Sequence, residues 1–118
     1  MDKEKNKYIY KITSIDLFEN AKKTGILTGM PIDIKDGYMH FSTNDQLLET
    51  LNIHFKNAGK LVILGIKTKD VEKNLKWEPS RGGNLFPHLY AELKISMVDF
   101  FKIINVDKNE ITKLDWLK

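Results

Sequence analysis

The chain has 118 residues, 42% of them hydrophobic and 30% charged, which is the size and make-up of one globular domain rather than a disordered polymer. Basic residues exceed acidic ones by only 3 (19 against 16), and the two signs are interleaved, unlike the concentrated patch of a nucleic-acid binder. There is no cysteine, which excludes disulfides, zinc–thiolate sites and thiol chemistry.

The lysines at the start, Lys3, Lys5, Lys7 and Lys11, read as a solvated terminus. The opening MDKEKNKYIYKI lacks the apolar run of a signal peptide, and no stretch approaches the ~18 apolar residues of a membrane span. A soluble, cytoplasmic protein without membrane attachment is the expectation. Among 19 basic residues the only arginine is Arg81, the one side chain with a planar fork for phosphate or carboxylate.

Residues 8–13, YIYKIT, are aromatic and β-branched and predict a strand. Ser14 is placed to cap a helix carrying Ile15, Leu17, Phe18 and Ala21 near one face, and Gly25 suits its left-handed end. Residues 26–36, with Gly29 and Pro31, read as an irregular loop, and Gly37 as the opening of a short strand, GYMHFS. Thr43 and Gln46 match a capping box ahead of a helix over about 44–55, with Leu47, Leu48, Leu51 and Phe55 at helical spacing.

Residues 60–68, KLVILGIKT, predict a strand buried on both faces and therefore central. A helical turn over 70–74 and a brief strand over 75–78 follow. PSRGGNLFPH, with two of the three prolines and adjacent glycines, reads as a loop that neither helix nor sheet absorbs. Extended structure is expected over 89–95 and a final strand over 97–106, after which Trp116 folds back onto the body. Helices confined to the first half predict an α+β fold.

Residues 77–90, WEPSRGGNLFPHLY, combine Arg81, the Gly82–Gly83 pair, His88 and flat rings at Trp77, Phe86 and Tyr90. Bare glycine N–H groups and a guanidinium suit an anion, and aromatic faces suit a stacked ring. The plain alternative is an ordered surface loop packed on its own aromatics. On the other short strand, alternation puts Tyr38, His40 and Ser42 on one face, where a histidine and a hydroxyl can grip a ribose hydroxyl. The alternative there is a hydrogen-bonded sheet histidine. His54, late in a helix, suits the helix dipole and is given no role. His40 and His88 have no local metal-ligand spacing, so no metal is expected, and neither a P-loop nor a Rossmann fingerprint is present.

DGYMHFST and RGGNLFPHLY, with YKI and LVIL, closely resemble the family called domain of unknown function 952 over about residues 8–106. That leaves 107–118 as a short C-terminal extension of a single domain, 1–118. The resemblance implies an ADP-ribosyltransferase-like fold, a split, strongly bent β-sheet with flanking helices. It implies NAD or a related nucleotide as ligand, with His40 and His88 as the motif histidines. Ser42, Arg81, Gly82, Gly83 and Tyr90 would line the cleft, and any reaction would be ADP-ribosyl transfer or cleavage of the nicotinamide–ribose bond.

Two departures stand out. Where the family continues with Gly-Pro-Leu, this chain has Ala91-Glu92-Leu93. Glu92 is thereby a further candidate for the glutamate that orients a ribose hydroxyl in ADP-ribosyltransferases. The related RNA 2′-phosphotransferases need several arginines, and this chain has one. A second class of function is a binding module without chemistry, recognising a protein, an acidic peptide or a nucleic-acid end.

Overall fold

In a computed structural model, which describes residues 6–117 apart from the Arg81 side chain, strand β4 (Gly59–Lys67) organises the chain. It pairs antiparallel with β1 (Tyr8–Ser14) on one side and β8 (Val98–Val106) on the other. Its alternating side chains feed two cores, because a central strand is covered on both faces. Val62, Leu64 and Ile66 face one core, with Ile9 and the helix α1 (Ile15–Thr24) residues Phe18 and Ala21. Leu61 and Ile63 face the other, with Tyr10, Ile12 and the helix α3 (Asn44–His54) residues Leu47 and Leu51.

The helix ends follow the local chemistry. The Leu17 N–H donates to Ser14 Oγ at 3.1 Å, and Gly25, at φ 88°, closes α1 in the left-handed region. The Thr43 N–H donates to Gln46 Oε1 at 3.1 Å, as the capping box predicts. Beyond β8 the chain folds back as expected: Ile111, Leu114 and Trp116 pack on the second core, with the Trp116 ring 6.2 Å from that of Tyr10.

A second antiparallel sheet has the order β3 (Met39–His40), β6 (Leu85–Leu89), β5 (Leu75–Pro79). Paired Tyr10–Ser42 backbone hydrogen bonds of 2.8 and 2.9 Å join its first edge to β1. A two-residue ladder, β2 (Ile26–Leu27) with β7 (Leu93–Lys94), completes an α+β fold of antiparallel sheets and few helices.

Four expectations need correction. Residues 26–36 are not irregular: after β2, helix α2 (Pro31–Asp36) starts at Pro31, whose fixed φ and missing N–H suit a first helical position. Gly37 is the left-handed end of α2 at φ 84°, so the strand after it shrinks to Met39–His40. The 79–88 segment is largely a hairpin, in which β5 and β6 pair from Leu75–Leu89 to Pro79–Leu85, leaving Ser80–Asn84 as the turn. Pro87 sits inside β6, where its carbonyl accepts from the Phe41 N–H at 3.0 Å. Lys11 is no part of a solvated terminus, being 2% exposed on the face it shares with Ile9, while Lys3 and Lys5 lie outside the described residues. Among the described residues no helix is long and apolar enough to cross a membrane.

Candidate functional site

The register of the second sheet sets two opposite surfaces. Met39, Leu89 and Leu75 lie in one row across β3, β6 and β5 and turn to the first core. The next row, His40, His88 and Lys76, turns the other way by strand alternation. The two imidazoles are therefore direct cross-strand neighbours, with ring centroids 5.2 Å apart and edge to face. The Tyr38 ring covers both, 4.7 Å from His40 and 4.3 Å from His88.

His40 is gripped from α2. Its Nδ1 lies 2.7 Å from Asp33 Oδ1 and its Nε2 lies 3.0 Å from Asp36 Oδ2. Both contacts are hydrogen bonds only when the ring carries two N–H groups, since a carboxylate can only accept. Asp33 is the hub. Its Oδ1 also accepts from the His40 backbone N–H at 2.9 Å, and its Oδ2 accepts from Lys11 Nζ at 2.6 Å and the Met30 N–H at 2.7 Å. Burial pushes the Asp33 carboxyl up, but hydrogen bonds from His40 and the charge and hydrogen bond of Lys11 outweigh it and hold it at about 2. Lys11 also donates to the His40 carbonyl at 3.1 Å. Gly29 is needed for this packing, because a Cβ there would meet Asp33 Cβ at 2.7 Å.

His88, almost fully buried, is held from the opposite side. Its Nδ1 lies 2.8 Å from Glu78 Oε1, which also accepts from the Tyr90 hydroxyl at 2.8 Å. The hydrogen bonds from His88 and then Tyr90 lower the Glu78 carboxyl below its ordinary range. In return, the hydrogen bond to Glu78, with burial behind it, pushes the Tyr90 hydroxyl up to about 12.

His40, His88 and Ser42 open onto one cleft of about 530 Å³ between β1, the start of α2, α3 and β6. Phe41, Ile12 and Phe86 give it apolar walls, and Tyr10, Thr50 and Ser42 give it hydroxyls, Ser42 Oγ donating to Thr50 Oγ1 at 3.3 Å. The other sequence candidates fall elsewhere. Gly82 and Gly83 form an exposed left-handed turn, φ 67° and 79°, outside the cleft lining. The Arg81 side chain lies outside the described residues. Tyr90 and Glu92 line a second, shallower hollow with Tyr38 and Gly37, so Glu92 does not join the histidines. Among the described residues no three potential metal ligands converge.

Sequence reasoning missed Lys11, Asp33, Asp36 and Glu78. Two of them left a signal. Pro31 with Asp33 two residues on is the opening of a helix whose third position accepts from the residue before it, as Asp33 does from Met30. Lys11 interrupts an apolar strand, and a cation buried there requires an anion. Asp36 and Glu78 carry no such mark in the sequence.

The family described as "Protein of unknown function (DUF952)" matches over residues 12–100. Among solved structures, the crystal structure of protein CC0527 from Caulobacter crescentus, a structural-genomics target, is 36% identical with a TM-score of 0.84, covering 92% of this chain and 95% of that one. The solution NMR structure of CC0527 gives a TM-score of 0.78 at 36% identity, covering 88% of this chain and 90% of that one. No curated protein matches the chain.

Proposed function

We propose, for a chain that belongs to the DUF952 family of proteins of unknown function, that the cleft between β1, α3 and β6 binds a ribose-bearing nucleotide, NAD or a relative of it. The observation that carries this reading is the cross-strand pair His40–His88, two imidazoles 5.2 Å apart at one cleft and each held by its own carboxylate. Hydroxyls at Ser42 and Thr50 supply partners for ribose hydroxyls, and the Phe41–Phe86 wall supplies flat apolar surface for a base. The volume, about 530 Å³, lies within the range usual for ligand pockets, about 300–1,000 Å³.

The chemistry that suits such a site is cleavage of the nicotinamide–ribose bond. The bonding pair leaves with nicotinamide while positive charge grows on the ribose, a water or acceptor hydroxyl forms the new bond to C1′ and gives up its proton, and orientation by fixed donors and acceptors lowers the barrier. Calorimetry with NAD and with ADP-ribose tests the reading. Saturable heat from either supports it, and no heat from both, with folded protein, overturns it.

A second reading has a specific observation in its favour. Glu92, which stands where the family has a proline, lines the other hollow and brings no glutamate to the histidines. The cleft then recognises its ligand without transforming it. Product analysis after prolonged incubation with NAD separates the two: free nicotinamide marks an enzyme, and bound, intact NAD marks a binding module.

A further inference from the structure

Glu78 stands on β5 and His40 on β3, the two strands that flank β6, so the His88 ring has them on opposite sides. Its Nδ1 is turned to Glu78, at 2.8 Å. The two nitrogens of an imidazole point away from each other, so Nε2 is turned away from Glu78, and the ring lines the cleft. Among the described residues no side chain or backbone group bonds to Nε2. The acceptor at Nδ1 is a carboxylate oxygen that already receives the Tyr90 hydroxyl, so Nδ1 must bring a proton to make the contact a hydrogen bond. The neutral ring then has its lone pair at Nε2. Tyr38, stacked at 4.3 Å and 29° between planes, holds the ring against rotation.

His40 is built the other way. Carboxylates at both of its nitrogens demand two donors, and the one at Nε2, Asp36, comes from the cleft rim on the end of α2. An oxygen of a bound ligand can take the place of the Asp36 carboxylate there without changing the donor.

We propose that Glu78 is a positioning residue that fixes His88 with Nε2 as the proton acceptor of the cleft, opposite His40 as its donor. The ligand class that follows carries a hydroxyl, given to His88, close to an acceptor oxygen that displaces Asp36 from His40. This deepens the nucleotide reading and rests on it for the ligand, but the state of the two rings is a property of the free protein.

Nitrogen-15 NMR of the imidazoles reads that state without any ligand. In the wild-type protein the neutral His88 ring is expected with its proton on Nδ1. In Glu78→Gln, with a well-dispersed amide spectrum, the other tautomer gains population, because the amide nitrogen can donate to Nδ1. A proton on Nε2 in the wild type overturns the proposal, and so does an unchanged tautomer ratio in folded Glu78→Gln. The wild-type spectrum decides even where the variant does not fold. A calorimetric titration with ADP-ribose is the second arm: Glu78→Gln is expected to raise the Kd about tenfold, the loss of one hydrogen bond. Absence of binding by the wild-type protein removes the nucleotide and leaves the tautomer result standing.

Discussion

Lys11 Nζ and Asp33 Oδ2 meet at 2.6 Å with both side chains withdrawn from water, 2% and 3% exposed. They come from β1 and α2 and tie the second sheet's edge to the first sheet, since the same pair holds the His40 carbonyl, backbone N–H and ring. Removing one partner leaves the other as an uncompensated buried charge. Lys11→Met is expected to cost about 3–5 kcal/mol in chemical denaturation. A loss below about 1 kcal/mol would mean that water reaches Asp33 when the lysine is gone.

The same carboxylate sets an acid limit. Asp33 sits at about 2 in the folded protein against an ordinary 3.8, so the native state binds fewer protons than the unfolded chain between those values. Its contribution is fully present above pH 3.8 and is lost as the pH falls toward 2; the gap is worth about 2–3 kcal/mol. Burial lowers Lys11 from its ordinary value, against the pull of the Asp33 charge and hydrogen bond. Urea midpoints measured from pH 5 down to 2 are expected to fall more steeply for the wild type than for Asp33→Asn.

At Gly65 the backbone of β4 shifts register against β8, and an added Cβ would lie 2.4 Å from the Phe100 ring. That ring cannot retreat freely, because it packs edge-on against Tyr8 at 5.4 Å and Trp116 at 6.4 Å. Gly65→Ala is expected to destabilise the fold by about 1–3 kcal/mol, as overpacking does. Phe100→Leu in the Gly65→Ala background should return part of the loss, and thermal melts of the single and double variants read the coupling.

How much of this was legible in the sequence depends on the distance over which the cause acts. The Ser14 cap, the Thr43–Gln46 box and the central strand, predicted over 60–68 and found at Gly59–Lys67, are set by neighbours within a few residues. So is the shared face of Tyr38 and His40. The PSRGGNLFPH stretch misled because proline and glycine were read as barring strand. Yet Pro87 needs no N–H partner where it stands, and its carbonyl still pairs. The contacts that orient the histidines were invisible for a different reason. Lys11–Asp33, 22 residues apart, and His88–Glu78 join separate elements, and only the sheet register brings them together.

Tyr90 gives an optical report on Glu78. The hydrogen bond to that carboxylate, aided by burial, lifts the phenol to about 12 from its ordinary 10.0. In Glu78→Gln the anion is gone, and the late phenolate step in an ultraviolet titration is expected to move back toward 10. A titration curve identical in both proteins would separate Tyr90 from Glu78 in solution.

His40→Ala discriminates between the two readings of the cleft. The side chain is partly exposed and its ring is not part of either core, so its removal should cost the fold little beyond the loss at Asp33. Asp33 keeps Lys11, the Met30 N–H and the backbone N–H at position 40. In an enzyme, where a fixed donor acts on charge that develops only in the transition state, His40→Ala lowers turnover by about 10²–10³ and changes affinity little. In a binding module it raises the Kd for ADP-ribose by about tenfold and there is no turnover to lose. Wild-type affinity and wild-type turnover in folded His40→Ala would place the ligand away from the paired imidazoles.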